Sequence, residues 1–164
     1  MTVSIGNGPV RYLRGPRESL SGSTLKLSWW SKPARVYVDA KILNMHDPTL
    51  KREAFVGYLV ERSGEHRVKE VEATESDDAE VLAILFAIEE LKEKLGRFTV
   101  VCDHESVVSE ALRDEVKKPS GLMEQLRSAL RENSSVKLEV LRANPAHGIV
   151  TEYVNSVKGA EQKD

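Results

Sequence analysis

The chain has a single cysteine, Cys102, in 164 residues. That excludes an internal disulfide framework and a Cys-rich zinc site, and a reducing cytoplasm is the expected compartment. Long apolar runs are also missing. The longest, residues 81–88 (VLAILFAI), falls far short of the ~20 residues that cross a bilayer, so no membrane association is expected. The N-terminal MTVSIGNGPVRYLRG lacks the apolar centre of a signal peptide. There is no internal repeat and no low-complexity segment. What is present is ordinary: 40% hydrophobic residues exclude a wholly disordered or collagen-like chain, and the length suits one domain with its own core.

The net charge of −2 is unevenly spread. Residues 1–35 carry Arg11, Arg14, Arg17, Lys26, Lys32 and Arg35 against Glu18 alone, a net +5, and the remainder carries −7. A basic arm on an acidic body suits a polyanion partner, although a merely solvated tail has the same composition. Residues 1–34 are rich in Gly, Ser, Pro and Arg and show no sustained periodicity, so they read as a largely irregular arm. Residues 24–30 (TLKLSWW) alternate briefly. Trp29 and Trp30 have the chemistry to stack on bases, or to fold back onto the body.

From residue 35 the pattern tightens. Residues 35–43 (RVYVDAKIL), 54–62 and 66–73 read as three strands joined by turns at Asp47-Pro48 and Ser63-Gly64. The period then changes. Val81, Leu82, Leu85, Ile88 and Leu91 recur at helical spacing, with Ser76 or Asp77 as the cap and Gly96 after the last turn. Residues 97–102 form a fourth strand and 106–112 a short helix. Another helix runs from about Pro119 to Leu130, a fifth strand covers 136–141, and a last helix covers 146–157. Residues 159–164 read as a polar, frayed tail. The order β-β-β-α-β-α-α-β-α implies an α/β domain over residues 35–158, with a five-stranded mixed sheet: three antiparallel strands, then parallel ones, flanked by helices.

Three acids sit where strand and helix physics would not put them. Asp39 interrupts the apolar first strand, Asp103 ends the fourth, and Glu80 stands one residue before the apolar run of the long helix. Each has a plain explanation alone: an arginine partner for Asp39, a helix cap for Asp103, the helix dipole for Glu80. Together they imply more. If the first and fourth strands are neighbours, Asp39 and Asp103 lie side by side, and the helix crossing over them lowers Glu80 between the two. Three carboxylates so close repel unless divalent cations neutralise them, and oxygen ligands suit Mg2+ or Mn2+. Two such ions about 4 Å apart form a clamp for phosphodiester cleavage.

At these residues the sequence resembles the ribonuclease H family of type 1, particularly its compact archaeal and plant-like branch. VYVDA around Asp39, SDDAEVLAILFAIEEL at residues 76–91 with Glu80, and TVVCDHESVV at residues 99–108 with Asp103 resemble the family's three acidic motifs, in order and separated by 41 and then 23 residues. The resemblance covers roughly residues 34–157. It implies the ribonuclease-H-like fold, two Mg2+ or Mn2+ ions, and endonucleolytic cleavage of the RNA strand of RNA–DNA hybrids; no obligate protein partner is evident in the sequence. The chain departs from the family pattern at Ala40, where glycine is usual, and in the loop KILNMHDPTLKRE. It also departs at Asp77 and Asp78, where an asparagine that touches the hybrid backbone is often found, and at His104, where serine is usual.

The family's fourth metal ligand opens the last helix, but RANPAHGIVTEYVNSV contains no Asp. Counted from His147, the positions that face the core are Ile149, Val150, Tyr153 and Val154. Counted from Glu152 they are Val154, Asn155, Lys158 and Gly159. His147 therefore takes the ligand slot, with Glu152 in reserve. Ser76, Asp77 and His104 join Arg11, Arg14, Arg17, Trp29 and Trp30 as candidate nucleic-acid contacts. His66 reads as an exposed edge residue, His46 as a loop residue, and Cys102 as a buried strand residue without chemistry. Two other functions stay open: a weak or inactive ribonuclease-H-like module that binds nucleic acid or protein, and another metal nuclease on the same fold.

Overall fold

The computed structural model describes residues 33–113 and 121–163. The arm residues Arg11, Arg14, Arg17, Trp29 and Trp30, and the helix start near Pro119, lie outside the described residues. Five strands run β1 (Ala34–Leu43), β2 (Glu53–Val60), β3 (His66–Val71), β4 (Phe98–Cys102) and β5 (Val136–Val140). Four helices among the described residues are α1 (Ser76–Leu95), α2 (Glu105–Ala111), α3 (Gly121–Glu132) and α4 (Ala146–Lys163). The sheet order is β3-β2-β1-β4-β5. β1–β2 and β2–β3 are antiparallel, whereas β1–β4 and β4–β5 are parallel. This is the expected mixed sheet. No helix among the described residues is long and apolar enough to cross a membrane.

The pleat of β1 sends alternate side chains to two cores. Val36 and Val38 join Val100, Cys102, Ile84, Ile88, Leu91 and Leu126 beneath α1 and α3. Tyr37 joins Val101 and Ala146 on the α4 side. There Phe55 of β2 packs on Val150 and Val154. The apolar run 81–88 is buried over a broad arc that includes Ala83, Ile84 and Ala87, because α1 lies between the sheet and α3. Leu82 and Leu85, expected in the core stripe, are only partly buried at its margin.

The helix ends differ from the sequence expectation in two places. Glu75, not Ser76 or Asp77, occupies the cap position of α1, without a side-chain cap bond. At the other end Gly96 adopts φ 69°, a conformation open to glycine, and its N–H bonds the Lys92 carbonyl. The last helix continues to Lys163, past the expected end at Val157 and through most of the expected tail. Its buried stripe is narrower than predicted: Val150 and Val154 are buried, while Tyr153 is 40% exposed and its ring only flanks Phe55, 6.2 Å away.

Gly57 fixes how closely α4 lies on the sheet. It pairs with Asp39 across β1–β2. A Cβ there would stand 2.7 Å from Val150 Cγ2 and 3.1 Å from the Arg67 carbonyl oxygen. Gly57→Ala is expected to cost about 2 kcal/mol by overpacking and to lower Tm by about 5–10 °C in thermal unfolding. A wild-type Tm would mean that α4 lifts without strain.

Candidate metal centre

The centre lies at the carboxyl ends of the parallel β1–β4 pair, where an open α/β sheet presents its ligands. In register, Tyr37 stands opposite Val101. Asp39 follows two residues later on β1 and Asp103 is the residue after the end of β4, close enough for its charge to act on Asp39. Glu80 comes from α1 on the other face and reaches the same strand end. Its carboxylate, the Cys102 thiol and the Asp103 carboxylate offer ligand atoms all within 4.8 Å of one another. Asp39 and Glu80 are buried and Asp103 is exposed, so the cluster opens to solvent on one side.

The electrostatics are those of crowded anions. Burial, and then the charges of Asp39 and Asp103, push the Glu80 carboxyl up to about 8. The buried Cys102 thiol donates to Glu80 Oε2 at 3.6 Å and partly offsets this. Asp39 is also raised, chiefly by burial. His147 opposes that shift and the neighbouring Asp103 adds to it. The contact with His147 is direct: Nδ1 lies 3.0 Å from Asp39 Oδ2.

These residues fit divalent cations. The carboxylates carry an uncompensated charge that an ion would neutralise. Burial, and then the Glu80 charge, raise the thiol of Cys102, so it stays neutral at physiological pH and is a poor ligand. The remaining donors are hard oxygens, which suit Mg2+ or Mn2+ and not zinc.

Of the other candidates, His147 touches Asp39. His147 lies in the first turn of α4 with a side chain 69% exposed, in contact with Asp39. Glu152 is exposed further along the helix. His104 Nε2 sits 3.1 Å from Asp77 Oδ1, and its Nδ1 is 3.1 Å from Ser106 Oγ. Two departures from the family pattern, Asp77 and His104, therefore meet each other. Ser76 lines a cleft of about 150 Å³ with Ala40, Ile42, Met45 and Ala79. His66 lies exposed on the edge strand β3, and His46 is exposed in the β1–β2 loop.

Two contributors escaped the sequence reading. Cys102 touches Glu80, which no pattern signals. Asn144 links the last helix to β1: its Nδ2 donates to the Val38 carbonyl at 2.7 Å, and its Oδ1 accepts from the Ala146 N–H at 3.1 Å. Its signal was an Asn followed by Pro145 at a helix start.

The fold has known counterparts. The ribonuclease H domain of a foamy virus (PFV), solved in solution, superimposes with a TM-score of 0.55 at 15% identity, covering 71% of this chain and 82% of that one. The native protease–reverse transcriptase of prototype foamy virus matches with a TM-score of 0.53 at 15% identity over 66% of this chain. This chain spans only 17% of that protein. No protein-family model matches the sequence, and no curated protein matches it. The likeness establishes the ribonuclease-H-like fold.

Proposed function

We propose that this protein is a divalent-metal-dependent endoribonuclease of the compact type 1 ribonuclease H kind, which hydrolyses the RNA strand of RNA–DNA hybrids. The observation that supports the reading is the mutual electrostatic effect of three acids: Glu80 is pushed up to about 8 by burial and by the charges of Asp39 and Asp103, and its carboxylate lies within 4.8 Å of that of Asp103. Asp39, Glu80 and Asp103 would hold two Mg2+ or Mn2+ ions, with His147 as the fourth ligand or as a proton carrier. Bound there, the ions would activate the attacking water and stabilise the leaving oxygen. With Nδ1 bonded to Asp39, the imidazole of His147 keeps Nε2 free to take and release a proton. The arm, with Arg11, Arg14, Arg17, Trp29 and Trp30, adds affinity for nucleic acid without adding chemistry.

One contact favours a second reading. His147 already occupies an oxygen of Asp39 that an ion would use, which suits a weak or inactive module that binds nucleic acid. Cleavage of a labelled RNA–DNA hybrid, beside duplex RNA, duplex DNA and single strands, with and without Mg2+ or Mn2+, separates the two. The nuclease cuts only the hybrid and only with a cation. Tight binding of hybrid without cleavage supports the module. On the nuclease reading, His147→Ala lowers the rate by about 10–100-fold, while Glu152→Ala stays within about twofold. The reverse ordering of those two variants would make Glu152 the functional residue.

A further inference from the structure

We propose that Asn144 is a positioning residue that sets His147 on Asp39 by tying the first turn of α4 to the backbone of β1. The inference rests on the nuclease reading only for its catalytic consequence. Three bonds meet at this residue. Its side-chain N–H donates to the carbonyl of Val38, the residue immediately before Asp39, at 2.7 Å. Its side-chain oxygen accepts from the Ala146 N–H at 3.1 Å, and its own carbonyl accepts from the His147 N–H at 3.1 Å. Two residues 106 apart in sequence, Val38 and Asn144, are thereby held one bond apart. Each lies next to, or three residues from, a member of the Asp39–His147 pair.

The arrangement goes beyond an ordinary helix cap. A cap needs only the acceptor that satisfies a free N–H in the first turn. Here the donor half of the same amide reaches a carbonyl of a central strand. A side chain with one acceptor and no long donor would cap the helix equally well and leave the strand untied. The amide fixes both the height of α4 along β1 and its rotation. The exposed imidazole of His147 needs both, since apart from Asp39 little surrounds it. Ala146 against Tyr37 and Val101, Val150 and Val154 against Phe55, and Lys158 bonded to Glu53 seat α4 on the sheet, and the amide adds the polar tie at its first turn.

Two variants separate the functions of the amide. Asn144→Ser keeps an oxygen that accepts from the Ala146 N–H but is too short to donate to Val38. Asn144→Ala loses both bonds. The first readout needs no metal and no substrate: the imidazole nitrogen signals of His147 in long-range proton–nitrogen NMR of the full chain. In the wild type they should report a proton held at Nδ1 against Asp39. In Asn144→Ser this signature should collapse toward that of a free histidine while Tm stays close to wild type. Asn144→Ala should lose the signature and Tm together. The second readout is hybrid cleavage. Asn144→Ser should lower kcat by about tenfold with KM unchanged, since misplacing a group costs turnover more than binding. In a His147→Ala background it should add no further loss.

An unchanged His147 signature in Asn144→Ser overturns the proposal, as does a loss of activity that persists in full in the His147→Ala background. If the wild type cleaves no hybrid, the nuclease reading fails by itself, and the NMR comparison still decides whether Asn144 positions His147.

Discussion

Asp39→Asn is expected to fold and to cleave nothing. The amide keeps the shape of the buried carboxylate, so the packing of β1 between its two cores is undisturbed. It removes the charge that would hold a cation opposite Asp103. The expected loss is about 10³-fold or more in single-turnover cleavage of a hybrid, the scale seen when a centre loses one main electrostatic element. Binding of Mn2+, followed by electron paramagnetic resonance, should weaken in parallel. Stability should move the other way. Burial and Asp103 raise the carboxyl of Asp39, so its charged form opposes folding in the absence of cations. The variant should therefore melt above the wild type at pH 8 in chelator. A variant that cleaves at the wild-type rate would remove Asp39 from the chemistry.

Stability of the metal-free protein should fall as pH rises from about 4.5 to about 8. The sign follows from Glu80. Burial and the charges of Asp39 and Asp103 push its carboxyl up to about 8 in the folded protein, against 4.5 for the free group. Between those values the folded state binds the extra proton, and stability decreases with pH wherever the folded state binds more. The contribution is fully present below about 4.5 and gone above about 8. Its size is on the order of 3–5 kcal/mol. A divalent cation should reverse the loss. At pH 8, cation at a hundred times its Kd adds about 2.7 kcal/mol, visible as a rise in Tm. Glu80→Gln should flatten the pH profile and abolish the cation effect. Thermal unfolding from pH 5 to 8.5, in chelator and in Mn2+, checks both. A flat wild-type profile in chelator would mean that Glu80 is not buried against its neighbours.

The sheet was legible because its signals are short-range. The nearly continuous apolar run in residues 54–60, the alternation in 66–71 and the apolar β-branched run around Asp39 mark the strands, and parallel pairing follows from the helices between strands. Asp39, Glu80 and Asp103 stand out in the sequence for a related reason, since charge in an apolar segment is costly, and Asp39 and Glu80 are buried. Tyr153 misled because helical spacing assigns a side chain to a face without saying how far the sheet extends beneath it. Over Tyr153 it offers only the edge of Phe55. The cap of α1 misled because Ser76 and Asp77 have good cap chemistry, but the chain enters the helix one residue earlier. Cys102 and Asn144 were illegible as members of the centre because their partners, Glu80 and Val38, lie 22 and 106 residues away. Only the folded chain brings them together.

The pairing of Asp77 with His104 also constrains how this protein can drift over generations. The two residues stand on different elements and meet across the mouth of the centre. If Asp77 alone changes to an apolar residue, His104 keeps only Ser106 as a polar partner. If His104 alone becomes a serine, the Asp77 carboxylate loses its imidazole partner. Each single step passes through a worse protein than either end point. The two positions should therefore change together, and a lineage that lost one of these residues should be found to have replaced the other.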